Sequence, residues 1–334
     1  MLLITGVLAL FVAFSVSAFC CWWIVQHKRD YWLDQPNDRS LHTVPVPRLG
    51  GVGIWSGVVV GGIIGVQGFS PLINIYCLVS VMLLLLVAFI DDWKTLSSTV
   101  RLSVQILAAI LAVFSSELYI SWDIASWIWP WVWIFVFVWG INLYNFMDGM
   151  DGFAALMAAI GFSALAFLGC MQDQVSFLFF NGLIVAGSAG FLCFNFPPAR
   201  IFMGDSGSTI LGFAMVLMSV IGLKEDIYPI WVPLVIFSPF WVDATVTLVK
   251  RLYRHERIWQ PHRQHYYQRW VLAGYSHRQV TIAYGLVMLL CSASVIAWQA
   301  MGSGYNGYVL PLVWVLFYAI VLVCSERLLK GRQR

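Results

Sequence analysis

Apolar residues run along this chain in long unbroken stretches, with no strand-like alternation, and each stretch gives way to a short polar segment. Crossing about 30 Å of hydrocarbon takes roughly 17 to 25 such residues. Eleven runs of that kind can be read at 2–25, 49–67, 71–90, 101–118, 123–141, 152–170, 175–194, 206–223, 228–249, 281–299 and 307–325. Lipid offers no partner to a free N–H or C=O, and barrel strands would alternate, so each run is expected to be an α-helix. The pattern therefore predicts an all-α polytopic membrane bundle of about eleven transmembrane helices.

Charge orients it. With eleven spans and the N-terminus outside, Lys224 is the one base of nineteen that falls outside. The rest, from Lys28 to the C-terminal group ending at Arg334, lie on the cytoplasmic side with the C-terminus. Losing or adding a span would scramble that asymmetry. A composition of 60% apolar and 10% charged residues, with a mean hydropathy of +0.82, excludes an ordinary soluble core. The net charge of +3 reports a basic membrane face, and no nucleic-acid partner is expected. The first run has no basic flank and no small-residue cleavage site, and reads as a retained helix. The seven cysteines show no metal-ligand spacing, and no repeat or linker interrupts the chain, so residues 1–334 are expected to form one membrane domain.

The chemistry-bearing residues gather in the cytoplasmic loops. Asp91-Asp92 closes an apolar run. Two acids at a helix C-terminus are opposed by the macrodipole and by each other, and call for Lys94, Arg101 or a metal ion. In Asn142-Leu-Tyr-Asn145-Phe-Met-Asp148-Gly149-Met-Asp151-Gly152, amides and carboxylates recur every three residues. That surface suits hydroxyls, an imide edge or a hydrated cation, although Asp-Gly pairs also form ordinary turns. Gly204-Asp205-Ser206-Gly207-Ser208 opens another run, where helix N–H groups favour phosphate and a carboxylate can hold a bridging divalent ion; a plain N-cap is the alternative. The longest loop carries Lys250, Arg251, Arg254 and Arg257, then Pro261-His262-Arg263-Gln264-His265-Tyr-Tyr-Gln-Arg269, suited to phosphates and anionic headgroups. Asp243 is the one acid well inside a span, and a structural hydrogen bond is favoured over a proton or substrate pathway.

Taken in order, these blocks resemble the polyprenyl-phosphate N-acetylhexosamine-1-phosphate transferases, also called glycosyltransferase family 4. The match runs through Asp34-x-Pro36-x-x-Arg39-x-x-His42 with Pro47-Arg48-Leu-Gly50-Gly51, Asp91-Asp92, the Asn142 to Gly152 block, Phe202-Met-Gly204-Asp205-x-Gly207-Ser208 and His262-x-x-His265-x-Tyr-Gln-Arg269. The last block departs from the peptidoglycan translocase, which has three consecutive histidines. That places the chain nearer the branch that starts O-antigen, common-antigen or teichoic-acid linkage chains, and argues against a muramoyl-pentapeptide substrate.

The resemblance implies transfer of a sugar 1-phosphate from a UDP-N-acetylhexosamine to undecaprenyl phosphate, with release of UMP, at the cytoplasmic face of a bacterial inner membrane. It implies Mg²⁺, with Mn²⁺ as a substitute, held by Asp205, Asp91 and Asp92. One of that pair has been proposed as a base in the family, yet a phosphate monoester is already mostly a dianion at neutral pH and needs none. Asn142, Asn145, Asp148 and Asp151 resemble nucleotide-site residues, with Phe202 placed to stack on uracil. His262 and His265 would contact the phosphates with Arg263 and Arg269 as charge partners, and Arg39, His42 and Arg48 would complete the cradle. Two rivals remain. A secondary transporter would explain the helices and Asp243 but would gather its polar groups near the midplane on discontinuous helices, and a scaffold would need no carboxylate cluster. The sugar stays open among GlcNAc, QuiNAc and FucNAc types. So does a homodimer, since the small-residue stretch from Gly57 to Gly65 suits either a partner or packing within the bundle.

Overall fold

In the computed structural model, the described residues are 2–27, 32–36, 41, 44–69, 72, 74–94, 96–114, 128–257, 262–302 and 307–332. Each of the eleven apolar runs overlaps a helix among the described residues. In chain order the helices are α1 (Leu2–Gln26), α2 (Gly50–Gly65), α3 (Ile75–Trp93), α4 (Ser98–Phe114), α5 (Trp129–Phe146), α6 (Phe153–Met171), α7 (Val175–Asn195), α8 (Asp205–Lys224), α9 (Trp231–Ile236), α10 (Ser238–Tyr253), α11 (Tyr266–Leu272), α12 (His277–Ala300) and α13 (Val309–Arg332). Among the described residues, seven of these are long and apolar enough to cross a membrane: α1, α3, α6, α7, α8, α12 and the Val309–Leu329 part of α13. The remaining four runs fall on the shorter α2, α4 and α5 and on the pair α9–α10. The protein is an all-α, multi-pass membrane protein. The one described sheet is a pair of two-residue strands, β1 (Leu33–Asp34) and β2 (Val46–Pro47), antiparallel with Leu33 opposite Pro47.

The bundle is built around α8, whose residues from Ser206 to Met218 are all buried. It packs against α5 and α3, with α2 and α6 also in contact. On one side α1, α2 and α7 form a tight layer. Gly57 and Gly61 of α2 approach the carbonyls of Ala13 and Ala9, where an added Cβ would lie 2.3 and 2.7 Å away, and Gly65 faces the Phe179 ring. This settles the small-residue stretch as packing within the bundle, and its glycine face is taken. At the periphery, α13 has few buried residues, Trp314, Ser325 and Leu329 among them.

Two elements depart from the sequence reading. The ninth run is broken: α9 ends at Ile236 and α10 begins at Ser238, with Phe237 between them. Pro239 has no N–H to continue the ladder, and Ser238 Oγ satisfies one freed carbonyl by donating to Val235 O at 2.6 Å. The second is α11, a short helix inside the stretch read as loop. Asp243 of α10 accepts the Tyr266 and Tyr267 N–H groups at its N-terminus, at 2.8 and 3.1 Å. Tyr284 OH donates to the same carboxylate at 2.8 Å. The intramembrane acid is thus fully engaged as a cap joining α10, α11 and α12.

Candidate active site

The ends of α3 and α5 and the starts of α4, α6, α8 and α12 meet at one end of the bundle. The segment Ile201–Gly204 holds them together. Phe202 N donates to Pro47 O at 2.7 Å, while Gly50 N and Gly51 N donate to Phe202 O and Met203 O at 2.9 and 2.7 Å. Gly204, with φ 75° and ψ 169°, sits in a backbone region essentially reserved for glycine. A Cβ there would also lie 2.3 Å from Arg48 O and within 3.0 Å of the Asp92 carboxylate.

That close approach lets Asp92, from the C-terminus of α3, cap the N-terminus of α8. Its two oxygens accept Asp205 N at 2.8 Å and Ser206 N at 3.1 Å. Neither Asp205 nor Ser206 caps its own helix, so the plain N-cap reading is replaced by a cap supplied from a distant segment. The α8 dipole favours this negative charge where the α3 dipole opposes it. Asp91 turns the other way, accepting Leu96 N and pairing with Arg101 Nη1 at 3.1 Å. Arg101 also reaches Asp205 at 3.2 Å, and Asn145 Nδ2 donates to the other Asp205 oxygen at 2.9 Å. Lys94 lies over the Trp93 ring.

These groups line a cavity of about 420 Å³ that also takes in Arg48, Asp148, Asp151, Phe202, Gln268 and His277. Six aspartates, counting Asp34, face it against Arg48, Arg101 and one imidazole. Asp148 lies between the helix ends with no salt-bridge partner among the described residues. Burial, reinforced by the charges of Asp205 and Asp92, holds its carboxyl well above the usual carboxylate range. Asp151 is pinned: Oδ2 accepts Ala199 N at 3.0 Å, Oδ1 lies 3.0 Å from His277 Nδ1, and its carbonyl accepts the Thr281 hydroxyl. Asn195 bridges the same corner, accepting Gly152 N and donating to Ile201 O.

An excess of carboxylate oxygen is what a hard divalent cation requires. No group of three or more acidic, imidazole or thiol side chains among the described residues is placed to hold a metal ion by itself. Asp205, Asp91 and Asp148 line the same cavity and are the residues that could hold a hydrated ion there.

A second cavity, about 400 Å³, shares part of its lining with the first. Its walls are apolar side chains of α3, α4 and α5, among them Leu84, Ala88, Leu102, Phe135 and Trp139, with Leu248 of α10. Asp91, Arg101, Asn145 and Asp205 belong to both cavities. Asn142 faces the groove, donating to Gln105 Oε1 at 2.7 Å and Val138 O at 2.8 Å.

The sequence-derived candidates therefore divide. Arg48, Asp91, Asp92, Asn145, Asp148, Asp151, Phe202 and Asp205 converge on the polar cavity, and Asn142 lies beside it. Arg39 and His42 lie outside the described residues. His262 and His265 lie with ring centroids 4.8 Å apart and planes tilted by 33°, outside the lining of that cavity. Burial, with His265 and Arg251 adding to it, pushes His262 down to about 4, so its ring is neutral near pH 7. His265 is buried at the start of α11, 3.6 Å from Asp243. Arg263 and Arg269 line a different, basic cavity, and Arg269 is held there by Glu326 at 2.6 and 3.1 Å. From the same segment it is Gln268 that enters the polar cavity, beside Gly149. Sequence reasoning assigned no role to Gln268 or His277. The Ser276-x-x-Gln279 capping box, which sets His277 at the first position of α12, was the available signal.

The chain resembles known proteins over most of its length. The profile of the family described as Glycosyl transferase family 4 matches residues 74–246. The chain is similar to a probable undecaprenyl-phosphate N-acetylglucosaminyl 1-phosphate transferase of Bacillus subtilis (strain 168), at 28% identity over 299 residues, covering 86% of this chain and 83% of that protein. It is also similar to the undecaprenyl-phosphate alpha-N-acetylglucosaminyl 1-phosphate transferases of Escherichia coli (strain K12), at 25% over 307 residues, and Yersinia pestis, at 27% over 278 residues. Those matches cover 87% and 77% of this chain, and 81% and 75% of the two relatives.

Proposed function

Since the chain belongs to glycosyl transferase family 4, we propose that it transfers an N-acetylhexosamine 1-phosphate from a UDP-sugar to undecaprenyl phosphate, releasing UMP. The observation that carries this reading is the junction of the two cavities at Asp91, Arg101, Asn145 and Asp205. A polar, carboxylate-rich chamber suits a nucleotide diphosphate with a divalent cation. An apolar groove between membrane helices suits a polyprenyl chain. The two substrates must present phosphate to phosphate, and the junction is where they would do so.

In the reaction, an oxygen of the lipid phosphate attacks the β-phosphorus of the UDP-sugar. The bond from that phosphorus to the bridging oxygen breaks, and UMP departs with the electron pair. When bound, Mg²⁺ or Mn²⁺ offsets the repulsion between the phosphates and the charge building on UMP. Asp205 is the principal residue to hold it, with Asp91 and Asp148 beside it. Asp92, with both oxygens engaged by the α8 N-terminus, fixes the position of Asp205. Arg101 spans Asp91 and Asp205 at the mouth of the groove and is placed to orient the lipid phosphate. Phe202 offers a ring for the uracil, and Asp151, held rigid by Ala199 and His277, a fixed acceptor for its imide edge. No general base is needed, because a phosphate monoester is already largely a dianion at neutral pH.

The basic loops support a cytoplasmic orientation of this chamber by the positive-inside rule, which for a bacterial enzyme would be the inner face of the inner membrane. Starting of an O-antigen or related surface polysaccharide is the role such a product would serve. The test is UMP release from purified protein with undecaprenyl phosphate and Mg²⁺, offering UDP-GlcNAc and its 6-deoxy relatives one at a time. Release dependent on lipid, cation and one particular sugar is expected. Failure with every donor, from folded protein, would overturn the proposal.

A further inference from the structure

α13 is fastened to the bundle at two levels and stands away from it between them. At the upper level Trp314 Nε1 donates to Ser294 Oγ at 3.0 Å, and the Tyr318 hydroxyl lies 2.8 Å from Ser238 Oγ. At the lower level Glu326 accepts from Lys250 at 2.7 Å, Tyr266 at 2.8 Å and Arg269 at 2.6 and 3.1 Å. Between those fastenings a cavity of about 430 Å³ separates α13 from α10 and α12, lined by apolar side chains that include Val242, Val287, Phe317 and Leu322. Ala283 and Val321, also in its lining, are exposed, so the slot opens to the surroundings of the bundle. At hydrocarbon depth such a gap is filled by something apolar, because interiors are packed to crystal-like density and polar groups avoid that depth.

Tyr266 forms part of the lining of this slot and also of the basic cavity of about 320 Å³ at the same end of the helices. There Lys250, Arg254, Arg263 and Arg269 face one acid, Glu326. Lys250 and Arg269 are engaged with it, whereas Arg254 and Arg263 are exposed and have no ion-pair partner among the described residues. Two uncommitted guanidiniums at a membrane face favour a phosphodiester and an anionic surface.

We propose that these two neighbouring cavities bind one anionic phospholipid, with an acyl chain between α12 and α13 and its phosphodiester against Arg254 and Arg263. This site is separate from the carboxylate cavity and its groove, and it does not depend on the reaction proposed above. Its bearing on the enzyme runs through α11, which carries Gln268 into the polar cavity and is flanked here by the lipid.

The test uses the full chain, purified and delipidated in a neutral detergent, then given phosphatidylglycerol or phosphatidylcholine. Bound lipid is counted by native mass spectrometry, and the thermal midpoint is followed in parallel. The wild type should retain one phosphatidylglycerol with at least tenfold preference over phosphatidylcholine. Arg254→Ala with Arg263→Ala should lose the preference, and Ala283→Trp, which fills the slot, should lose both lipids. Should Ala283→Trp fail to fold, Val321→Trp on the α13 wall of the slot fills the same space. Retention and preference unchanged in the arginine variant would overturn the proposal. So would displacement of the lipid by glycerophosphate or inorganic phosphate alone, which indicates an anion site without an acyl slot. Stoichiometric displacement by undecaprenyl phosphate at lower concentration would overturn it as well, reassigning the site to the substrate lipid.

Discussion

Replacing Asp92 separates a residue that holds a metal ion from one that holds a helix. The carboxylate is 5% exposed and accepts two α8 N–H groups, at 2.8 and 3.1 Å. Asn keeps one acceptor and turns an NH₂ toward the second N–H, leaving a buried donor unsatisfied at about 1–3 kcal/mol. Ala leaves both unsatisfied and removes the favourable charge at the helix N-terminus, a further ~0.3–1 kcal/mol. Relief of repulsion from Asp148 and Asp205 offsets part of this. The expected losses are about 2 kcal/mol for Asp92→Asn and about 3–4 kcal/mol for Asp92→Ala. At roughly 2 °C per kcal/mol for a chain of this size, the apparent midpoint should fall by about 4 °C and 6–8 °C. The loss should be the same with Mg²⁺ or EDTA. Turnover should drop about 10²-fold, as expected for a reacting group displaced by about 1 Å, while half-saturating Mg²⁺ moves less than about threefold. Scanning fluorimetry and UMP release against Mg²⁺ measure all four quantities. An Asp92→Asn protein that melts with the wild type but needs tenfold more Mg²⁺ would refute the capping argument and make Asp92 a ligand.

Asp205→Asn should lower turnover at least 10²–10³-fold, the cost of removing one preorganised electrostatic contact, with the metal-free midpoint unchanged or raised; an active, Mg²⁺-dependent variant in the UMP assay would contradict the assignment. Asp148 has its folded-state carboxyl held above the unfolded value, so the stability it lends is complete below about pH 4 and is lost as pH rises through the folded value. Metal-free Asp148→Asn should therefore melt higher than the wild type near pH 7.5 and show a flatter profile from pH 4 upward; equal midpoints across that range would count against it. Gly204→Ala should fail to accumulate as folded protein, since the backbone region alone costs about 1–3 kcal/mol and its Cβ would collide with Arg48 O; wild-type yield and midpoint would show that the loop yields. Asp243→Asn should lower the midpoint by the cost of one orphaned donor, about 1–3 kcal/mol, without changing the Mg²⁺ requirement; a stable but inactive variant would move Asp243 into the reaction.

What the sequence made legible follows from range. Apolar runs specify helices locally, so the seven long apolar helices were readable, as was the clustering of Asp91, Asp148 and Asp205 at one end. The Asp92 cap on α8 joins residues 113 positions apart, and no local pattern announces it. α11 was read as loop because seven residues make a marginal helix in isolation. It exists because Asp243 caps one end and Glu326 holds Tyr266 and Arg269. The α9–α10 break did carry a local signal, Ser238-Pro239 within an apolar run, which the mean hydropathy of the span concealed. A break of this kind suits a transporter in principle, yet here the acid beside it is spent on capping α11, and the remaining carboxylates gather at the helix ends.

That gathering has a physical reason. A phosphate cannot be drawn to the bilayer midplane without losing its hydration, and even a single ionised side chain there costs at least about 2.5 kcal/mol. A lipid phosphate and a nucleotide must therefore meet at headgroup depth, where membrane helices end and expose unpaired N–H and C=O groups. The α8 N-terminus supplies positive potential at that depth, and Asp92 from the C-terminus of α3 is drawn into it. One bond set thereby offsets two unfavourable features: an acid opposed by its own helix dipole, and a buried helix start without a cap. Asp205, the first residue of α8, is fixed by the same contact, with its side chain left free to turn toward Asn145 and Arg101. The apolar groove then has to end at Asp205, because α3, α4 and α5 form its walls and the first and last of these also deliver Asp91 and Asn145.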